Sequence, residues 1–473
     1  MNKRSSFFDQ FWIRIFSAAI FIVFLFFAGC SGNEIFNVIF PDQSTEVEEI
    51  GSAVAAVETD MEGTPLSTEE TGTAEVIATE TTSVLETAVT TQEFTVEQSE
   101  LVVWVPEEFS ILEESSASSI FQQRIAEFER QNPGIVIVVR VKASNGSGSI
   151  LDSLRNTKAA ATTALPQVAL LSRADMEDAV GLGLLLPLEE FFGSENSSAY
   201  FPFAHEIAEL DGIRYGVPFV ADVLVGIADN SLSDLDLTTW DEIRAKRIPL
   251  YFAANSPQAT FFISQYLSTG GKLLDEQGHA SFTDENLLTV LDSYEQNVSD
   301  KIFQESFNTL NTNEDVWALL EDGNAKWEIN WYSKVMQSDL SELQVFQIPS
   351  LGEEPYTSAK GWLWTIVNKD EEVDETVAEF ITFFSDQQFL ADFTQASGYL
   401  PVLPASLSLY ENTDLVERLS SILTAAHALP ENSLVVELGP VFRDTTLMVL
   451  SQDYSSEEIL ETAQSQIEAL QTK

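Results

Sequence analysis

His205-Glu206-Ile207-Ala208-Glu209 sets a histidine and a glutamate at the spacing of a zinc-hydrolase helix, where a second histidine four residues after the first completes the ligand set. Glu209 stands at that position, so a metal would lose a nitrogen ligand. The other two histidines, His279 and His427, are too scattered to form a cluster. Gly146-Ser147-Gly148 lacks the spacing of a nucleophile elbow. Asp234-Leu235-Asp236 begins like a calcium loop, but no glycine follows at the sixth position and no glutamate at the twelfth. The adjacent acids Glu107-Glu108, Glu113-Glu114 and Glu189-Glu190 diverge on any regular element and cannot flank one glycosidic bond. In a chain with 75 acidic residues such pairs arise by chance. No catalytic residue, metal or cofactor is expected.

The one cysteine, Cys30, excludes an internal disulfide and closes a different pattern. Lys3, Arg4 and Arg14 precede an apolar run, Ile15 to Phe27, and the small pair Ala28-Gly29 follows, which is the layout of a secretory signal over residues 1–29. The run falls short of the roughly 20 residues a membrane-crossing helix needs. Phe27-Ala28-Gly29-Cys30 resembles a bacterial lipobox, with Phe27 departing from the usual aliphatic residue. The resemblance implies a diacylglycerol on the Cys30 thiol, cleavage before it and a further acyl chain such as palmitate, which together anchor a protein durably. The rest would then lie outside the cytoplasm, tied to the bacterial envelope.

No lysine or arginine occurs between Arg14 and Arg124, and within residues 30–98 the stretch 41–98 alternates Thr, Glu, Ala and Val without a sustained period. Such a segment reads as a solvated acidic tether. Over 473 residues, 75 acids against 23 bases give a net charge of −52, a field that repels phosphate backbones and excludes nucleic acid as a partner. Length and 44% apolar content still allow two or three folded units.

From residue 100 the texture changes to short apolar runs alternating with helical patterns, the mark of an α/β fold. Leu101–Val105 reads as a strand, Ser119–Arg130 as a helix stopped by Asn132-Pro133-Gly134, and Ile135–Val141 as the next strand. A helix over Leu151–Ala161 and a strand over Val168–Leu171 extend this into a parallel sheet with covering helices. Ser172 and Asp175 follow the last strand at its carboxyl end, where open α/β sheets bind ligands and where a helix cap would also place them. Pro106–Phe109 and the small-residue loop Ser144–Ser149 reach the same rim. The latter lacks the Gly and Lys spacing of a phosphate loop and reads as a flexible loop.

An ordered series of segments then resembles the extracellular solute-binding proteins of ABC importers, in the group related to maltose-binding protein. It runs from Leu101–Val105 and Ala126-Glu127-Phe128-Glu129-Arg130-Gln131-Asn132-Pro133-Gly134 through Leu165-Pro166-Gln167-Val168, Gly183-Leu184-Leu185-Leu186-Pro187-Leu188 and Tyr215-Gly216-Val217-Pro218-Phe219. It continues with Thr239-Trp240-Asp241-Glu242-Ile243, Gly270-Gly271-Lys272-Leu273-Leu274-Asp275, Asn330-Trp331-Tyr332, Gly361-Trp362-Leu363-Trp364 and Gly398-Tyr399-Leu400-Pro401-Val402. The resemblance implies a type II two-lobed binding-protein fold, each lobe a mostly parallel sheet with covering helices. Lobe 1 would be 99–221 with 361–405, and lobe 2 would be 222–360 with 406–473. A monomer would close around a small solute and present it to the importer's membrane subunits.

Sugars offer C–H faces and hydroxyl edges, so a sugar cleft needs aromatic platforms and directional acids and amides. By the resemblance Trp331 and Tyr332 lie on a ligand-stacking loop, and Asp222 and Trp362 lie at the two crossovers between lobes. With Ser172 and Asp175 they form the expected ligand set, for a carbohydrate and specifically an oligosaccharide. The acidic body opposes anionic ligands and leaves neutral sugars or cations such as polyamines. A sensory or adhesive lipoprotein on the same fold, and a glycan-processing enzyme, are the alternatives from other classes.

Overall fold

The computed structural model describes residues 98–192, 199–336, 338, 343–369 and 374–471. The expected signal 1–29, Cys30 and all but the last residue of the tether 30–98 lie outside the described residues. Among the described residues no helix is long and apolar enough to cross a membrane.

The sheet starts as the apolar runs require. Strand β1, Ser99–Pro106, pairs in parallel with β2, Ile135–Lys142, in unbroken register from Ser99 opposite Ile135 to Pro106 opposite Lys142. The helix between them, Ser116–Gln131, begins earlier than its apolar period because the Ser115 hydroxyl accepts the Ser118 N–H at 3.0 Å and caps it. Strand β3, Val168–Ser172, lies parallel on the other side of β1.

Beyond β3 the sheet is mixed. Strand β4, Gly216–Ala228, spans 13 residues, nearly all buried, and pairs antiparallel with β7, Thr357–Ile366. The far half of β4 instead pairs with β5, Trp327–Trp331, and β6, Gln344–Phe346. Two short strands complete it: β8, Leu400–Pro401, on β4, and β9, Ala426–Ala428, on β7. Chains crossing in opposite directions meet antiparallel, as β4 does with β7, β5 and β6, whereas the short β9 runs parallel to β7.

Two hydrophobic cores flank this crossing. In the first, Phe121, Phe219, Trp364, Phe384 and Phe393 interlock with ring centroids 5.1–6.5 Å apart. In the second, Phe252, Phe261, Tyr294 and Phe303 interlock with ring centroids 4.9–6.5 Å apart, Tyr294 lying on the helix Asp284–Ser299. Each buried ring contributes on the order of 2 kcal/mol. Leu407, Tyr410, Leu419, Ile422, Leu423 and Ala426 belong to the first core, whereas the sequence reading passes to lobe 2 at residue 406. The physical reason is β9: its pairing with β7 holds the preceding helix, Thr413–Thr424, to the first body. The second core takes up the chain from Leu429 and through the helix Asn432–Ser451, with Leu438, Val441 and Phe442.

Candidate functional site

Strand register brings side chains from both bodies to one face of the crossing. Antiparallel pairing sets Ser172 of β3 opposite Trp362 of β7, Asp222 of β4 opposite Lys360 of β7, and Leu224 of β4 opposite Trp331 of β5. Alternate residues of a strand share a face, so Lys360 and Trp362 point the same way. Between them Gly361 faces the opposite side, where a Cβ would stand 2.4 Å from Ile207 Cδ1 and 3.1 Å from the Val220 carbonyl. That close approach seats the helix Pro202–Ala208 against the back of the crossover.

Above this face lies a cavity of about 340 Å³ lined by Asn145, Ser172, Arg173, Ala174 and Glu177 from the first body, Gln258, Thr260, Trp331, Pro430 and Asn432 toward the second, and Lys360, Gly361 and Trp362 from the crossover. Gln258 and Thr260 also line an adjoining cavity of about 280 Å³ with Phe252, Phe261, Asn311, Thr312 and Asn313. Ala259 between them is held at φ 45°, a strained conformation for a residue with a side chain.

Of the six residues expected from the sequence, Ser172, Trp331 and Trp362 line the larger cavity. Ser172 also caps the helix Arg173–Gly181, accepting the Asp175 N–H at 3.1 Å, and its hydroxyl donates to Asp175 Oδ2 at 2.8 Å. Burial raises the Asp175 carboxyl and the Ser172 bond partly offsets this. Asp175 thus turns to the cap and does not line the cavity. Asp222 sits one layer behind it, 1% exposed, accepting from Ser333 N at 3.0 Å and Ser333 Oγ at 2.7 Å. Its charge faces Lys360 Nζ at 3.6 Å. Tyr332 packs into the first core, where burial drives its phenol far above the ordinary range.

Lys360, Arg173, Gln258 and Thr260 were missed. Lys360 was legible by the period of two from Trp362, once that residue is assigned to the cleft. Arg173 needed the fold: its Nε meets Glu177 Oε1 at 2.5 Å, and Glu177 Oε2 accepts the Asn432 N–H at 2.7 Å from the second body. Burial raises the Glu177 carboxyl against the pull of these two partners. A second acid reaches the same linker: Glu206 accepts the Ala428 N–H at 2.8 Å and pairs with His427 Nδ1 at 3.1 Å, while Tyr356 stacks on the His427 ring at 4.8 Å. The near-zinc motif is therefore used differently, with Glu206 tied to His427 and His205 packed edge-on to Tyr200.

Trp331 is positioned from behind. Asn330 Oδ1 accepts the Trp331 N–H at 2.8 Å, and Asn330 Nδ2 donates to Glu328 Oε1 at 2.8 Å and to the Asn313 carbonyl at 3.0 Å. Glu328 is fully buried, among the described residues its Oε2 has no hydrogen-bond partner, and burial lifts its carboxyl to about 8 against the opposing Asn330 bond. It therefore carries a proton at neutral pH.

Charges lining the cavity are paired: Arg173 with Glu177, and Lys360 with Asp222. The interior is close to neutral inside a strongly acidic molecule. Paired charge, two indoles and an amide-rich wall suit a polar, uncharged guest held by directional hydrogen bonds.

A family model described as bacterial extracellular solute-binding protein matches residues 123–418. Among solved structures, the cyclic alpha-maltosyl-1,6-maltose binding protein from Arthrobacter globiformis aligns with 79% of this chain and 98% of its own at 17% identity, with a TM-score of 0.64. The sugar-binding protein MalE from the phytopathogen Xanthomonas citri covers 79% and 98% at 18% identity, TM-score 0.64. An extracellular solute-binding protein family 1 member from Alicyclobacillus acidocaldarius covers 79% and 99% at 16% identity, TM-score 0.61. No curated protein matches the sequence. At such identities the likeness speaks for the fold, and the two-lobed α/β binding-protein fold expected from the sequence is the one found.

Proposed function

This chain belongs to the bacterial extracellular solute-binding proteins, and from that premise we propose that it captures a neutral carbohydrate for an ABC importer, between two α/β lobes that close on the guest. The observation that carries this reading is the cavity where both bodies and the crossover meet, with Trp331, Trp362 and Ser172 on its walls and its charges cancelled in pairs. A chain of net charge −52 would concentrate cations at an open acidic cleft, but Asp222 and Glu177 are already neutralised and Lys360 opposes a polyamine directly. A sugar gains from what remains, namely indole surface and fixed donors and acceptors.

The neighbouring cavity, joined through Gln258 and Thr260, supports an oligosaccharide: one site alone is near the small end of ligand pockets, and the pair gives room for a longer chain. Trp331, Trp362, Ser172 and, through Lys360, Asp222 are the contacts assigned; Asp175 and Tyr332 hold the walls. The lipid on Cys30 and the acidic tether would keep a monomeric body at the envelope within reach of the importer's membrane subunits. Titration calorimetry against maltose, maltotriose, cyclodextrins and spermidine, with scattering on the same samples, tests the reading. Binding of a neutral sugar with compaction is expected; a chain that takes only spermidine, or no sugar in the panel, overturns it.

A further inference from the structure

We propose that Lys360 is the specificity-determining contact of the cavity: its ammonium, fixed between Trp331 and Asp222, covers the indole and offers hydrogen to an oxygen of the guest. This rests on the carbohydrate reading and deepens it, because it changes what the sugar meets on that wall from an aromatic face to a cation.

Register makes the arrangement, since Asp222 and Lys360 are cross-strand partners and Trp331 enters on the next strand of the same face. Lys360 Nζ stands 4.1 Å from the Trp331 ring centroid, 6.0 Å from that of Trp362 and 3.6 Å from Asp222 Oδ2. Trp331 is 9% exposed and otherwise packed in the second core, so the ammonium occupies the cavity side of its ring. The lysine is not free to swing away. Asp222 is buried, its two bonds from Ser333 carry no countercharge, and among the described residues Lys360 is the one cation in ion-pair range. Withdrawing it would strand a buried carboxylate, which is far costlier than leaving an exposed pair. An ammonium has three N–H groups, and Asp222 and the indole face leave at least one directed to the cavity, where the side chain is 36% exposed. Such a donor selects hydroxyl or ring oxygens and rejects cationic guests.

The test compares the full chain with K360R, K360M and the double variant K360M/D222N, which removes the buried charge together with its partner and guards against misfolding. Maltotriose is the first probe, with maltose and α-cyclodextrin beside it, read by calorimetry and by tryptophan emission. Expected is wild-type binding, a loss of roughly ten- to a hundredfold in K360M/D222N, as for one charged hydrogen bond, and a smaller loss in K360R. Should wild type bind while the double variant binds equally or more tightly, the proposal fails and the carbohydrate reading stands. Should wild type bind none of the neutral sugars, both fail.

Discussion

Replacing Glu328 by glutamine isolates the cost of burying an acid beneath the ligand wall. In the unfolded chain this carboxyl ionises above about 4.5; in the folded protein it keeps its proton up to about 8, since burial opposes the charge. Between those values the unfolded state releases a proton that the native state retains, so rising pH favours unfolding. The stability associated with this group is complete below about 4.5 and is lost as pH climbs toward 8. At about 1.36 kcal/mol per pH unit the full window amounts to roughly 5 kcal/mol. Glutamine reproduces the neutral acid in shape and still accepts from Asn330, so Glu328→Gln should match wild type near pH 4.5 and exceed it at pH 8.5. With an unfolding entropy of about 2.1 cal/mol/K per residue, a body the length of Thr91–Lys473 gains a little over 1 °C per kcal/mol, or roughly 5 °C in Tm. Calorimetric or fluorescence melts at the two pH values measure it. Equal melting of both proteins at pH 8.5, or a less stable variant there, would mean that the folded carboxyl ionises without cost and would refute a raised pKa for Glu328.

Gly439→Ala should act at a distance on the cavity: a Cβ there would lie 2.2 Å from the Pro257 carbonyl, so the helix Asn432–Ser451 must push the loop that carries Gln258 and Thr260. Maltotriose affinity should fall by about tenfold with a Tm loss of a few degrees, and unchanged affinity would show that this loop does not touch the guest. His427, whose pKa Glu206 raises, lends stability that is present below about 6.5 and lost as pH rises through its folded value; both partners are nearly half exposed, which limits the pair to under about 1 kcal/mol. The Tm difference between wild type and His427→Gln should therefore be positive at pH 5.5 and vanish by pH 8.5. Cys30→Ser should abolish incorporation of labelled palmitate and release the protein from cells; retention of the label would refute the lipid anchor.

The three parallel strands were legible because each is a short apolar run bounded by a cap or a breaker, and their ends were placed within a few residues. Segment 407–426 was not, since Leu419, Ile422 and Leu423 form an apolar helical stripe that suits either core; only the pairing of Ala426 with Thr357 decides between them. The cavity divides in the same way. Ser172 could be singled out from its place at a strand end, and Trp331 and Trp362 from residue type together with the family resemblance that puts them at a stacking loop and a crossover. That Tyr332 turns into a core, that Asp175 serves a cap, and that Lys360 lies over Trp331 follow from register and from which face of a ring is already taken. A single chain of residue types does not state either of these.

Contacts joining the two bodies across the cavity help decide how a guest can act. Glu177 of the first body accepts the Asn432 N–H at the start of the helix that enters the second core, while Glu206 accepts the Ala428 N–H of β9 within the first body. Bonds of this kind are worth about 1.5–3 kcal/mol each at most. Each core holds dozens of buried side chains, whereas the Glu177 bond is a single contact beside the strands that cross between them. On the proposed reading, a guest that touches Ser172 on one side and Trp331 on the other needs a preference of a few kcal/mol for a closed arrangement to populate it. One charged donor and one indole supply that much, which is why the loss of Lys360 should register in affinity without altering either core.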